Sequence, residues 1–309
     1  MWLFELSDKR LSLLRDELSS RPVSEEVRGW SFSSPPVRPP SSSVALTVSE
    51  LAARYCDTLR DVYLRRVKRV EQPFTSKLAR GTAFHEVIRH TISESKRFIY
   101  SNPSACGFDL LSRYGDEDMS PVIFRGLPTA KGKLPDDDVE SLVRESADLH
   151  RYLLIGIASR LDDARSRFPH AAEDSLVAAA VPSVSERKVD GTLVGLSREL
   201  SVDLYTPYNA VVDVKTGEVR DFHSLTAAGY ALALESEGQA AVDYGVITYL
   251  KMSGKVPSVD SKYFVIGDEI RREFLEIRDE AFSVLETGKD PGKPDRCPTY
   301  CPYYSVCNP

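Results

Sequence analysis

The chain has 309 residues and a formal net charge of −6, with 42% hydrophobic and 28% charged residues. That length suffices for one large domain or two ordinary ones, and the balance is that of a globular protein with a buried core. No run of about 18 apolar residues occurs to span a membrane, and the start, Met-Trp-Leu-Phe-Glu-Leu-Ser-Asp, lacks the basic and apolar regions of a secretory signal, so a cytoplasmic protein is expected. The negative charge argues against indiscriminate nucleic-acid binding while leaving room for a local basic groove.

Residues 2–20 carry Leu3, Leu6, Leu11, Leu14 and Leu18 at helical spacing and predict a helix. Residues 31–43, rich in Pro and Ser, are incompatible with helix or central strand and read as a linker or extended arm. These two segments make an N-terminal region, 1–48. Ser49 reads as the cap of a helix from about 50 to 70 that contains Cys56. A second helix is predicted over 78–99 and carries His85. Residues 101–134 read as irregular, and a long charged helix follows from about 137 to 167; together these form a helical region, 49–170. Strand-like patterns then occupy 175–189, 192–205, 210–215, 242–250 and 262–266, with a helix over 224–235 between the third and fourth. A last amphipathic helix over 269–285 completes a core of residues 171–290, and a cysteine-rich tail, 291–309, ends the sequence. The order predicts an α/β protein, a central mixed sheet flanked by helices, with the Cys56 helix and the tail packed together as a subdomain.

Val-Val-Asp213-Val-Lys215 reads as a buried strand, and residues two apart on a strand share a face. Asp213 and Lys215 therefore lie together, and the turn at Thr206-Pro-Tyr-Asn209 makes a hairpin that brings Asp203 beside Asp213. Paired carboxylates form a hard oxygen site for Mg²⁺ or Mn²⁺. A neighbouring lysine orients water or stabilises charge developing on a phosphate, as metal-assisted phosphodiester hydrolysis requires. An Asp-x-Lys pair is commonly only a surface pair, but the flanking valines make burial without a role or a partner costly here. His85, in Gly81-Thr-Ala-Phe-His85, is a candidate third ligand that would bias the site toward Mn²⁺; a lone helical histidine is otherwise structural.

Cys297, Cys301 and Cys307 close the sequence, and Cys56 is a remote fourth; Cys106 stands apart as a core or loop residue. In a reducing compartment such a set reads as metal ligands. Spacings of three and five residues, without a Cys-x-x-Cys pair, favour a 4Fe–4S cluster, with tetrahedral zinc as the alternative. Arg60, Arg65, Arg66 and Arg69, with Lys68, follow Cys56 and are either a DNA-contacting surface or a solvated helix face.

The combination of Gly-x-x-x-His, a later Asp, Asp-x-Lys and a Tyr on the next helix, bracketed by one early and three late cysteines, resembles the RecB-like nucleases with an iron–sulfur staple. More closely, with Ala228-Gly-Tyr230-Ala-Leu-Ala-Leu-Glu-Ser, it resembles the CRISPR-associated exonucleases of the fourth Cas family, archaeal Csa-one subgroup. The likeness covers roughly residues 50–100 and 180–309. It implies a restriction-endonuclease-like PD-(D/E)XK fold. His85, Asp203, Asp213 and the Val214 carbonyl would hold a divalent metal, Lys215 would assist the attacking water and Tyr230 would support the site. Cys56, Cys297, Cys301 and Cys307 would ligate the cluster. It further implies a DNA exonuclease trimming single-stranded ends during spacer acquisition, beside the Cas1–Cas2 integrase. Two positions depart from the family pattern: Asp213 stands where Glu is frequent, and Thr226 where Gln is usual. Thr226 leaves open an iron–sulfur module that binds DNA or a partner without cutting. A nuclease subunit of a recombinational repair system is a further alternative, and the oligomeric state, homo-oligomer included, is not fixed by the sequence.

Overall fold

The structure is a computed structural model in which residues 7–42, 44–128 and 132–308 are described. Helix α1 (Asp8–Ser20) buries Leu11 and Leu14; Leu3 and Leu6, assigned to the same helix from sequence, lie outside the described residues. The helix expected over 50–70 is two helices, α2 (Val48–Ala52) and α3 (Arg60–Arg66). Arg54 and Leu59 between them have φ of 43° and 56°, a left-handed backbone through which a right-handed helix does not continue. Cys56 therefore lies in the turn between α2 and α3 and not inside a helix. The cap is Thr47 and not Ser49. Its Oγ1 accepts from the Glu50 amide at 3.3 Å, and Glu50 Oε2 accepts from the Thr47 amide at 2.8 Å, a reciprocal capping box.

Helix α4 (Ser76–Ser101) matches its sequence pattern. The segment expected to be irregular holds α5 (Gly107–Tyr114) and α6 (Ser120–Gly126). Its Pro and Gly are helix punctuation: Pro121 sits in the first turn of α6, where a missing N–H costs nothing. Helix α7 (Asp136–Arg167) follows as expected, then α8 (Glu173–Ala180) in place of the start of the first predicted strand. The short apolar run Leu176-Val-Ala-Ala-Ala180 fits a buried strand or a buried helix equally by pattern, and alanine decides for helix.

The sheet has five strands in chain order: β1 (Val184–Val189), β2 (Leu200–Tyr205), β3 (Ala210–Lys215), β4 (Tyr244–Ser253) and β5 (Val256–Val265). Only β3 and β4 run parallel, so they need a crossover, which α9 (Ser224–Gly238) supplies. Helices α10 (Asp268–Thr287) and α11 (Tyr304–Cys307) complete the chain. One face of the sheet, with Val212, Val214, Val246 and Leu250, packs on apolar side chains of α1 and of α4 to α8. The other side buries Val211 and Val202 against α2, α9 and α10. The mixed sheet flanked by helices is thus as expected.

The proline-rich segment is no free linker. Val37 is fully buried, and the equally buried Arg278 donates to the carbonyls of Pro36, Val37, Arg38 and Val194 at 2.9, 2.6, 3.3 and 3.0 Å. A side-chain fork thereby satisfies acceptors for which the prolines offer no ladder. Upstream, Gly29 lies so close to the Leu232 carbonyl of α9 that any Cβ would collide with it. Its amide donates to Glu235 Oε2 at 2.8 Å.

Candidate active site

Strands β2 and β3 pair Leu204 with Val212 and Tyr205 with Val211. Asp203 and Asp213 are the next residues along the two strands, near enough for the Asp203 charge to act on Asp213, as the hairpin reading requires. Asp203 Oδ2 accepts from the Val214 amide at 2.9 Å. Helix α4 crosses the end of β3 and presents His85, whose Nδ1 meets Asp203 Oδ1 at 3.2 Å while Nε2 lies 3.1 Å from the Val214 carbonyl. His85, Asp203, Asp213 and the Val214 carbonyl are brought together.

Glu186 joins them without any local sequence signal. In β1, Ser185 pairs with Leu204 and Arg187 with Val202, which leaves Glu186 in the slot facing Asp203. Its φ is 51°, a left-handed conformation unusual for this residue type, and Ser201 Oγ donates to its Oε2. Donor atoms of His85, Glu186 and Asp203 all lie within 4.8 Å of one another. Asp213 stands just outside that triad, turned toward Lys215.

The electrostatics are those of buried carboxylates crowded together. Burial opposes the ionisation of Asp203, but the charge and hydrogen bond of His85 and the Val214 amide outweigh it and hold the carboxyl below its usual range. Burial pushes Asp213 up to about 6, with Asp203 adding to the shift and Lys215 opposing it. Burial works against a charged His85, yet Asp203, Asp213 and Glu186 raise it to about 9. The imidazolium therefore supplies the positive charge that the carboxylates demand. Lys215 Nζ lies 2.8 Å from Asp213 Oδ2. The approach is off the direction a hydrogen bond needs, so this buried oxygen is left without a hydrogen-bond partner. Burial alone would lower the Lys215 pKa; Asp213 and Asp203 reverse that, and the ammonium stays charged. Burial and the same three carboxylates raise the Tyr230 phenol well above its ordinary range and keep it protonated. Thr226 is buried on α9, one turn before Tyr230. Carboxylate oxygens, one of them orphaned, a carbonyl and the imidazole that His85 becomes on losing its proton are a donor set that fits Mn²⁺ or Mg²⁺.

Near the other end of α3, Cys301 is buried with Tyr63, Leu64 and Tyr303, and Cys307 packs against them. Burial pushes the Cys301 thiol up to about 11, with Asp61, Cys56 and Cys297 adding to the shift. Cys297 and Cys56 likewise raise Cys307, after burial. The four cysteines are thus gathered within one electrostatic neighbourhood, Cys106 excepted. The basic segment is partly engaged. Arg60 grips Asp290 through Nε and Nη2, at 2.9 and 2.8 Å, and reaches Cys307 Sγ at 3.4 Å. Arg66 pairs with both oxygens of Glu50 at 2.6 Å, and Arg65 approaches Glu50 at 3.5 Å. Arg69 is an exposed residue with φ of 56°.

A family model described as CRISPR-associated exonuclease Csa1 matches residues 1–309. The chain belongs to the Csa1 family. It is 35% identical over 310 residues to the CRISPR-associated exonuclease Csa1 of Saccharolobus solfataricus (strain ATCC 35092 / DSM 1617 / JCM 11322 / P2), covering 99% of each chain. It is 34% identical over 293 residues to the CRISPR-associated exonuclease Csa1 of Thermoproteus tenax (strain ATCC 35583 / DSM 2078 / JCM 9277 / NBRC 100435 / Kra 1), covering 92% of this chain and 91% of that one. Among the described residues of this Csa1-family chain, no helix is long and apolar enough to cross a membrane.

Proposed function

We propose that this chain is a divalent-metal-dependent deoxyribonuclease of the restriction-endonuclease-like kind, an exonuclease acting on single-stranded DNA ends in the processing that precedes CRISPR spacer integration by Cas1–Cas2. The observation that carries the reading is the convergence of His85, Glu186, Asp203, Asp213 and Lys215 at the end of β3. His85, Asp203, the Val214 carbonyl and either Asp213 or Glu186 would hold the cation. A divalent ion bound there supplies Lewis-acid charge and lowers the pKa of water at neutral pH. Lys215, kept protonated by Asp213, is a cation and donor rather than a base, suited to orient water and to offset charge on a phosphate. Tyr230, held as the neutral phenol, can donate a hydrogen bond into the same space. The names of the relatives support nuclease chemistry in a CRISPR setting.

For the cysteines the reading is a 4Fe–4S cluster on Cys56, Cys297, Cys301 and Cys307. Tetrahedral zinc, with Zn–S near 2.3 Å, brings its sulfurs to about 3.8 Å of one another. The tail spacings of three and five residues, without the Cys-x-x-Cys pair usual in structural zinc sites, favour the larger cluster. The test is cleavage of end-labelled single-stranded DNA with Mn²⁺, Mg²⁺ or EDTA by protein purified without oxygen, wild type beside Asp213→Ala. Metal-dependent cutting lost in the variant, in a brown protein, is expected. A brown protein that binds DNA but shows no variant-sensitive cutting would replace the enzyme by an iron–sulfur binding module.

A further inference from the structure

One surface next to the active site combines positive charge with an exposed aromatic ring, and it lies outside the Arg60–Arg69 segment. It starts from the sheet. Asp213 pairs with Ile247, and Ile247 with Lys262; Lys215 pairs with Tyr249. Directly paired residues on neighbouring strands point to the same face. Lys262 therefore stands on the same face as Asp213, two strands away or about 10 Å, with Tyr249 beside Lys215. Above Tyr249 lies His223, whose Nδ1 is 3.1 Å from the tyrosine hydroxyl. Burial lowers the His223 pKa to about 4, and the cations Lys215, Arg220, Lys262 and Lys77 add to the fall. Four positive charges thus converge on this neutral imidazole. Lys77 comes from the first turn of α4 and reaches across Gly217, to whose Cβ position its Nζ is 3.6 Å.

The aromatic part comes from the cysteine tail. The Arg220 guanidinium lies 4.2 Å from the centre of the Tyr300 ring, and the Tyr300 ring lies 6.5 Å from that of Tyr55. Tyr300 is 38% exposed, and each of the two tyrosines adjoins a cysteine, Cys301 and Cys56. The carboxylates that offset the patch are weak competitors. Glu218 pairs with Arg220, Asp221 lies 3.8 Å from Lys262, and Asp260, paired with Tyr249, stands on the same face; all three are exposed, and exposed pairs exchange readily for a phosphate. Cations tracking a backbone beside a partly exposed aromatic ring are the parts of a single-strand site, where any base can stack.

We infer that an extended single strand of DNA leaves the cleavage site across this face. Lys77, Arg220 and Lys262 hold its phosphates, and Tyr300 of the cysteine tail stacks a base. The inference rests on the nuclease reading and adds the substrate path to it. It also gives the cysteine region a part in gripping substrate, because the tail that carries Cys297 and Cys301 places the stacking ring.

The test is fluorescence anisotropy of a labelled oligothymidylate of about 16 nucleotides in EDTA, over a series of salt concentrations. Mn²⁺-dependent cleavage is measured on the same preparations, with melting temperatures compared. Arg220→Ala with Lys262→Ala should weaken binding and flatten the slope of log Kd against log salt by about 1.4, at about 0.7 per phosphate contact on a single strand. Lys262→Ala alone, at an exposed position, should flatten it by about 0.7. Tyr300→Ala should weaken binding about 5- to 150-fold with the slope unchanged, and Tyr300→Phe should retain it. A wild type that cuts DNA while both Tyr300→Ala and Lys262→Ala leave affinity and slope unchanged would overturn the path and leave the nuclease reading standing. Equal losses on a blunt duplex would overturn the single-strand assignment. A wild type that neither binds nor cuts DNA removes both.

Discussion

His85, Asp203 and Asp213 stand on a long helix and a β-hairpin, whereas Cys56, Cys297, Cys301 and Cys307 stand on a turn, an irregular tail and a helix of four residues. The first site is held by ladder hydrogen bonds and by two apolar layers around the sheet. The second rests on a cluster of four buried side chains and on surface pairs such as Arg60–Asp290. The difference teaches which site needs its bound group. A carboxylate site built into a sheet is preorganised, while thiols raised by burial would have to be deprotonated by the group proposed to bind them.

The largest effect should come from breaking the cysteine region. Cys301→Ser should abolish the visible absorbance of the proposed cluster and destabilise the protein. A cluster joining Cys56 to the tail, as proposed, would close a loop of roughly 240 residues, for which the loop-entropy relation gives roughly 5 kcal/mol. Anaerobic thermal melts of the two proteins measure it. An unchanged melt with the colour lost would show that the tail holds itself.

Next is the network that fastens α9, which carries Tyr230. Glu235 is fully buried; it accepts from Arg271 at 2.8 and 2.9 Å, from Arg28 at 2.8 Å and from the Gly29 and Val242 amides at 2.8 and 3.1 Å. Glu235→Ala should cost about 3–5 kcal/mol by leaving buried arginines uncompensated. Burial opposes ionisation of Glu235, but these partners lower its pKa below the ordinary 4.5. The stability it contributes is therefore fully present above pH 4.5 and is lost as pH falls through the lowered value. Urea titrations at pH 7 and near pH 3 should show Glu235→Gln narrowing the difference between the two conditions. Equal acid sensitivity in both proteins would contradict the assignment.

Asp213→Ala should sharpen the contrast from the other side. Cleavage should fall at least about 10²-fold, about 2.7 kcal/mol, while the melting temperature holds or rises, because a carboxyl raised to about 6 is strained as its anion at neutral pH. A parallel drop in stability would make Asp213 a structural residue. The smallest effect is expected at the α2 cap, where Thr47→Ala should cost about 1 kcal/mol in urea unfolding without touching metal binding.

The carboxylate site was legible in sequence because strand period and a short turn fix Asp203, Asp213 and Lys215 relative to one another from local rules alone. Glu186 was not, since its place depends on the β1–β2 register and on one left-handed residue, which no local pattern announces. The turn holding Cys56 was misread for a similar reason: Arg54 and Leu59 take left-handed backbone without being glycine or asparagine. Helix α8 and the pair α5–α6 were missed where short apolar runs and helix-boundary Pro and Gly read as strand or loop. The mixed sheet itself was visible, while the Arg278 fork that binds the proline-rich segment joins residues some 240 positions apart and has no local signature.

Mn²⁺ binding followed by electron paramagnetic resonance tests the separation of the two sites most directly. Wild type, Asp203→Ala and Cys301→Ser would be titrated under identical anaerobic conditions. The expected result is one tight Mn²⁺ in wild type and in folded Cys301→Ser, with loss of that site in Asp203→Ala. Retention of the tight Mn²⁺ in Asp203→Ala, or its loss in a folded Cys301→Ser, would contradict a metal site that the sheet builds without help from the cysteines.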